Sequence, residues 1–400
     1  MRTNKPQSVV VIGAGVTGLS TAFHLVEKGV DRVTVIDKGR VGGGSSLQSG
    51  GIITMLMATT TEVRARAISL DIFERFSRIL DGYHFHQVGC LNLFTPEAFD
   101  QSADVRDMWQ RNGGQFDILR GAEISERFPD LEAKDSDIGV LDHRSGFSEP
   151  HHYISALKAK LEGMGIDILE NEQVTGFELQ NGEVRGVQTV AGSINADAVV
   201  CAVNAWTNHL LSFVGVRIPY KNFVHERFVT KPFDERPRLP AVNDHILNGY
   251  VRPTDDNRLL VGTSVDHKAY EMRGRDFEVS ELDPHPEALP FIKGNLINRT
   301  ALLEGAEWDY HTVGLISLAH DVKPVIGPVP GVKGLYLGAH FHSGGFAYNP
   351  VSGLLLAEHV VDGGTRIDTE MYSPARFGSV DTDAFLSSPI MHSEMGVTRH

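Results

Sequence analysis

Apolar runs and glycine clusters divide this chain into short elements from its first residues. Val9-Val10-Val11-Ile12 is an unbroken apolar run, the pattern of a strand buried on both faces of a parallel sheet. It leads into Gly13-Ala14-Gly15-Val16-Thr17-Gly18, after which residues 19–28 follow the period of an amphipathic helix. Val33-Thr34-Val35-Ile36 predicts a second strand, ending in Asp37. Further helices are expected over 62–80, 103–111, 121–128 and 154–163, and from about 350 to 361. Strands are expected over 89–95 and 166–169, within 196–206 before a turn, and over 334–338. A hairpin is expected over 174–179 and 184–190, turning at Asn181-Gly182. Residues 217–320 alternate in strand fashion, notably at 227–230, 250–252 and 259–262.

The strand, glycine turn, helix, second strand and acid form a unit suited to an adenine dinucleotide. Gly13 permits the tight turn, Gly15 lets the backbone approach a pyrophosphate, and Gly18 lets helix and strand pack closely, with Ala22 a second small residue at that contact. A diphosphate is favoured at the N-terminus of the helix, where unpaired N–H groups and the helix dipole meet it at Val16 and Thr17. Asp37, nineteen residues after Gly18 and followed by Lys38, can accept hydrogen bonds from ribose hydroxyls and would repel a 2′-phosphate. The motif alone leaves FAD and a nicotinamide both open.

Length and composition narrow the class. A chain of 400 residues suggests two domains, and 41% apolar content is ordinary for a globular enzyme. No apolar run of about 18 residues predicts a membrane span. A strand beginning by residue 9 leaves no room for a secretory signal, and only Cys90 and Cys201 are present. Both points lead to the expectation of a reducing cytoplasm. The net charge of −14 argues against a nucleic-acid partner. The elements interleave, so the dinucleotide domain is expected from 1–85, 145–215 and 320–377, and a substrate domain from 86–144 and 216–319. Residues 378–400 read as an arm or a disordered end.

From 9 to about 377 the order of motifs resembles the D-amino-acid oxidase superfamily of FAD enzymes, which includes glycine oxidase, sarcosine oxidase and dimethylglycine dehydrogenase. The resemblance implies an α/β fold, with a Rossmann-like FAD-binding domain interleaved with an α+β antiparallel-sheet domain. It places the loop containing Gly44, Ser45, Ser46, Gln48, Gly50 and Gly51 beneath the flavin. Some relatives carry a histidine there that bonds covalently to FAD. Gln48 stands at the matching position, so no histidyl link is expected. The resemblance also assigns Val174 to the adenine edge, and Asn204 and Trp206 to a turn where relatives usually carry glycine in place of Asn204. Asparagine tolerates the left-handed backbone this turn needs. Finally, it places His340 to Phe346, including Ser343, Gly344 and Gly345, against the pyrimidine side of the flavin. Backbone N–H groups and a helix dipole there favour the negative charge of reduced flavin. This second return to the cofactor favours FAD over NAD.

On the substrate side, the stretches around His225 and Tyr250 resemble the dimethylglycine and sarcosine dehydrogenase branch, whose matching residues stand near the flavin face. A neutral imidazole at His225 could deprotonate or orient an ammonium substrate. The other reading is a strand histidine held by structural hydrogen bonds. Amino-acid-binding relatives commonly carry an arginine shortly before the Asp-x-x-Pro run, but residues 313–320 contain none. A substrate carboxylate would then meet Arg252, Lys221 or His320, or the substrate lacks one. Leu260 stands where monomeric sarcosine oxidases carry a lysine associated with oxygen activation, so the electron acceptor, oxygen or another, is open. His340 and His342 are candidates for the substrate cavity, or solvated loop histidines. Close pairs such as His84 and His86 have no third ligand at metal spacing, so no metal is expected. The favoured reaction is oxidation of the CH–N bond of a secondary or tertiary amine or amino acid to an imine, by hydride transfer to flavin N5. Two alternatives stay open: oxidation of a hydroxy acid or other alcohol, and an FAD-bearing subunit of a larger dehydrogenase. The chain would then be a homo- or hetero-oligomer.

Overall fold

The computed structural model describes residues 5–263, 266–272 and 274–396. One sheet runs in the order Val325–Pro328, Leu335–Ala339, Ala198–Cys201, Ser8–Ile12, Arg32–Ile36, Asp167–Leu169. Its strands are parallel except at the Val325–Pro328 edge. Ser8–Ile12 is buried at every residue, as its apolar run demands.

The helix after it, Val16–Glu27, is less amphipathic than its sequence suggests and is buried from Val16 through Leu25. A long helix, Gly345–Asp362, packs on it. Where they meet, a Cβ on Gly353 would fall 2.4 Å from Ser20 Oγ and 2.6 Å from Thr21 N, so the two helices approach backbone to backbone.

The long helix also begins earlier than the sequence suggests, at Gly345 rather than near Pro350, which lies inside it. Proline removes one helical N–H, and the side-chain amide of Asn349 donates to the Phe346 carbonyl that this N–H would have reached. The helix expected over 154–163 likewise starts at Pro150, the favoured first position for proline.

The second sheet has eight strands, in the order Trp308–Ala319, Tyr220–Thr230, Leu259–Thr263, Gly249–Pro253, Ala241–Asp244, Cys90–Phe94, Ile138–Asp142, Phe116–Arg120. Neighbours are antiparallel except Ala241–Asp244 with Cys90–Phe94. Its strands come from two separate stretches of chain, interleaved with those of the first sheet. The strand-like region over 217–320 also contains a helix, Ala288–Asn295, whose Ala288 and Ile292 join the core of this sheet. The hairpin Val174–Gln180 and Glu183–Thr189 turns at Asn181 and Gly182, both with positive φ.

Of the two readings of the C-terminal segment, an arm or a disordered end, the described part through residue 396 is a docked arm, with a short helix at Thr382–Ser387 and a turn at His392–Met395. Lys221 Nζ donates to the carbonyls of Leu386 and Ser388, and His392 lies edge-on against Phe223. Cys90 and Cys201 are buried free thiols. Among the described residues no helix is long and apolar enough to cross a membrane.

Candidate active site

Between the two sheets lies a cleft with two open-mouthed chambers of about 1300 and 1270 Å³. They share Ser45, Ser49, Asn204, Phe341, Gly345 and Phe346, so a long ligand can occupy both.

The first chamber gathers the glycine motif. Gly13 has φ +106°, and a Cβ there would fall 2.4 Å from the Ala202 carbonyl oxygen. A Cβ on Gly15 would fall 2.9 Å from Ser46 Oγ, the oxygen that accepts the Val16 N–H at 3.1 Å. Gly18 does not line the chamber. Its Cβ would fall 1.8 Å from the Gly13 carbonyl oxygen, so its role is the helix–turn contact. Asp37 accepts the Ala14 N–H at 2.7 Å and the Gly39 N–H at 2.8 Å, which fixes its carboxylate at the chamber wall. Burial raises its pKa, against the pull of those two N–H groups. Lys38 lies 4.8 Å over the Trp206 ring and donates to the carbonyls of Arg275 and Phe277, tying this wall to a distant loop. Thr17, Gly44, Ser45 and Val174 complete the lining named from sequence. His209 and Arg275, which the sequence did not single out, line it too.

Asn204 adopts φ +42°, and its side-chain oxygen accepts the His340 N–H at 3.0 Å, so one residue makes the turn and ties two loops. Opposite, the long helix begins at Gly345 with glycine as its N-cap and no side-chain capping bond. Gly345 and Phe346 at this end of the helix line both chambers, where the helix dipole favours an anion. Glycines that leave room for a diphosphate, a carboxylate on the same chamber wall and a helix N-terminus lining that chamber fit FAD.

The second chamber holds Gln48, Gly50, Gly51, His225, Tyr250, His342, Ser343 and Gly344. His225 Nε2 and the Tyr250 hydroxyl are 3.3 Å apart, with rings nearly parallel at 6.0 Å. Two glycines make this arrangement fit. Gly262 stands opposite Tyr250 in register, and a Cβ there would fall 2.1 Å from the tyrosine ring. Gly314 stands opposite His225, and a Cβ there would fall 2.9 Å from Gln48 Cβ, so the loop carrying Gln48 rests on it. Arg227 Nη2 donates to the Leu47 carbonyl at 2.7 Å and anchors that loop.

Four substrate candidates do not reach this chamber. Arg252 is fully buried: it makes a two-pronged ion pair with Glu149 at 2.7 and 3.0 Å, and donates to the Gly50 and Pro253 carbonyls. Its donors are consumed in holding the Gly50 loop on the sheet. His320 lies outside both chambers, edge-on to Phe385 of the arm. His340 is buried and stacks on Tyr220 at 3.9 Å, away from the cleft lining. Lys221 is taken up by the arm. His342 does line the second chamber, with φ +47° and Nδ1 accepting the Gly344 N–H at 3.1 Å.

The sequence reading missed Arg66, Asn243 and His245, all of which line the second chamber. Arg66 left a legible signal. In the helix Thr60–Ile79 it falls on the stripe of Val63, Ser69, Leu70, Phe73 and Phe76, where a charge is out of place. Among the described residues no three His, Cys, Asp or Glu side chains group as a metal site.

Comparison with known proteins agrees with this geometry. The family model described as FAD dependent oxidoreductase matches residues 8–359. Glycine oxidase of Pseudomonas putida is 28% identical over 386 residues, covering 92% of this chain and 98% of that protein. Sarcosine oxidase subunit beta of Arthrobacter sp is 26% identical, covering 93% and 91%. Among solved structures, L-proline dehydrogenase from P. horikoshii superposes with a TM-score of 0.86 at 26% identity, covering 93% of this chain and 98% of that one. With a match spanning most of its length, the chain belongs to the DAO family of FAD dependent oxidoreductases.

Proposed function

We propose that the protein oxidises the CH–N bond of an amino acid, or of a secondary or tertiary amine, to an imine (an iminium ion from a tertiary amine), which water hydrolyses. The observation that carries this reading is the His225–Tyr250 pair facing the chamber that adjoins the dinucleotide cradle. When bound, FAD supplies the two-electron acceptor for hydride from the carbon beside nitrogen. The chain's residues do the rest. Gly13, Gly15, Val16, Thr17, Asp37, Ser46 and Val174 hold the dinucleotide, and Gly44, Ser45, Gln48, Gly50, Gly51, Asn204 and residues 343–346 bound the ring. His225 takes the proton of the substrate ammonium, because only a free nitrogen lone pair can form the new C=N bond as hydride leaves carbon. Tyr250 orients the imidazole and the amine.

The likeness to glycine oxidase, sarcosine oxidase subunit beta and L-proline dehydrogenase supports amine donors over alcohols. The likeness to a protein named as a beta subunit favours a second reading, in which electrons pass to a partner chain rather than to oxygen. Residues 1–85, 145–215 and 320–377 would form the FAD unit, and 86–144 and 216–319 the substrate unit. The test is product analysis of the FAD-loaded protein with an amine panel in air, then with an artificial electron acceptor. Carbonyl product from amines supports the reading, and hydrogen peroxide in air alone marks an oxidase. Carbonyl product only from alcohols overturns it.

A further inference from the structure

Arg66 is an oddity of the second chamber. Its side chain is 3% exposed, on the buried face of the helix Thr60–Ile79, yet it lines the same space as His225 and Tyr250. Its guanidinium lies 4.0 Å over the Tyr348 ring, which fixes its plane. Nε and Nη1 are buried without a hydrogen-bond acceptor among the described residues. The nearest acid in sequence, Glu62 one turn earlier, is engaged by Lys323 at 3.2 Å and by the Thr59 hydroxyl at 2.7 Å. Glu62 lends Arg66 some favourable charge from a distance, but among the described residues no carboxylate forms an ion pair with the guanidinium. A Cβ on Gly344 would fall 2.5 Å from Arg66 Nη2, so the glycine leaves the guanidinium room at the chamber wall.

A buried cation without an anion is costly, and a protein core has cheaper ways to fill that volume. A planar fork with unpaired donors in the wall of a cavity matches a carboxylate. We propose that Arg66 binds the carboxylate of the substrate, and so restricts the protein to amines that carry one. The anchor then comes from the helix Thr60–Ile79, in place of the strand Trp308–Ala319, which has no arginine. Arg252 and Lys221 are unavailable, as their donors are taken. The proposal rests on the amine-oxidising reading for the identity of the substrate, though not for the binding of a carboxylate.

The experiment titrates the FAD-loaded protein with acetate, which cannot be oxidised there, and with acetamide as the uncharged control. Binding is read from the visible flavin band. Native protein should bind acetate and not acetamide. Arg66→Met should weaken acetate binding by about 10- to 150-fold, the range for a hydrogen bond to a charged group. It should melt no lower than the native protein, because it removes an unpaired buried charge. Arg66→Lys, which keeps the charge and loses the fork, should fall between and guards against a misfolded Met variant. Equal acetate affinity in native and Arg66→Met proteins overturns the proposal. So does unchanged acetate binding with a lowered flavin reduction potential, which would assign the charge to the flavin. If no amine bleaches the flavin while acetate binding still depends on Arg66, the amine reading fails and this one stands. If amines lacking a carboxylate bleach native and Arg66→Met proteins alike, the amine reading stands and this one falls.

Discussion

The Tyr250 hydroxyl sits 3.3 Å from Nε2 of His225, and its ring occupies the space that a side chain at Gly262 would fill. Three neighbouring strands thus cooperate to place two polar groups at the wall of the second chamber. His225→Ala should lower turnover by about 10²- to 10⁴-fold, the range for a positioned acid–base group, with flavin content unchanged. Gly262→Ala should displace the tyrosine and lower turnover while His225 remains. Equal turnover in His225→Ala would return that histidine to a structural role.

Asp37 serves the cradle twice, receiving two backbone N–H groups while facing the first chamber. Asp37→Ala leaves both donors unpaired and removes the ribose acceptor. FAD should bind roughly 10- to 150-fold more weakly, measured by cofactor release on ultrafiltration, with substrate turnover of the saturated protein changed far less.

The Arg252–Glu149 ion pair is buried on both sides, so its two partners depend on each other. Glu149→Gln should cost about 3–5 kcal/mol of stability by stranding the guanidinium. Urea unfolding of the variant checks this. A loss confined to substrate affinity, with stability intact, would restore Arg252 to the substrate site.

Burial pushes His340 down to about 3, and the positive charge of Arg376 adds to the effect. The unfolded chain therefore binds a proton near pH 6.5 that the folded chain refuses. Stability from this residue is complete above that pH and is lost as pH falls toward 3, with a slope of at most about 1.4 kcal/mol per pH unit. His340→Asn suits the positive φ of +58° and removes the titration. Its stability should fall less steeply than the native protein's between pH 6 and 4 (roughly the window between the two pKa values). Parallel slopes would show that another group governs acid unfolding.

The dinucleotide half was legible because its chemistry constrains the backbone. Gly13, Gly15 and Gly18 stand where a Cβ would strike a neighbouring backbone or side-chain oxygen, and that requirement shows in sequence. Asn204 was readable for the same reason, as a residue tolerant of left-handed geometry. The start of the long helix was not. Pro350 reads as a boundary, and only the fold shows the Asn349 amide satisfying the carbonyl it frees. The substrate side failed differently. Arg252 reads as a partner for a substrate carboxylate until Glu149, 103 residues away, is brought against it. Arg66 was legible as a charge on the buried face of its helix, but a helix pattern does not show what that face meets.

The most direct measurement is the visible spectrum of the FAD-loaded protein, titrated without oxygen with amines, amino acids and hydroxy acids. Loss of the oxidised flavin band with an amine or amino acid, and not with the matching hydroxy acid, is the predicted result. Bleaching by hydroxy acids or alcohols alone would contradict it.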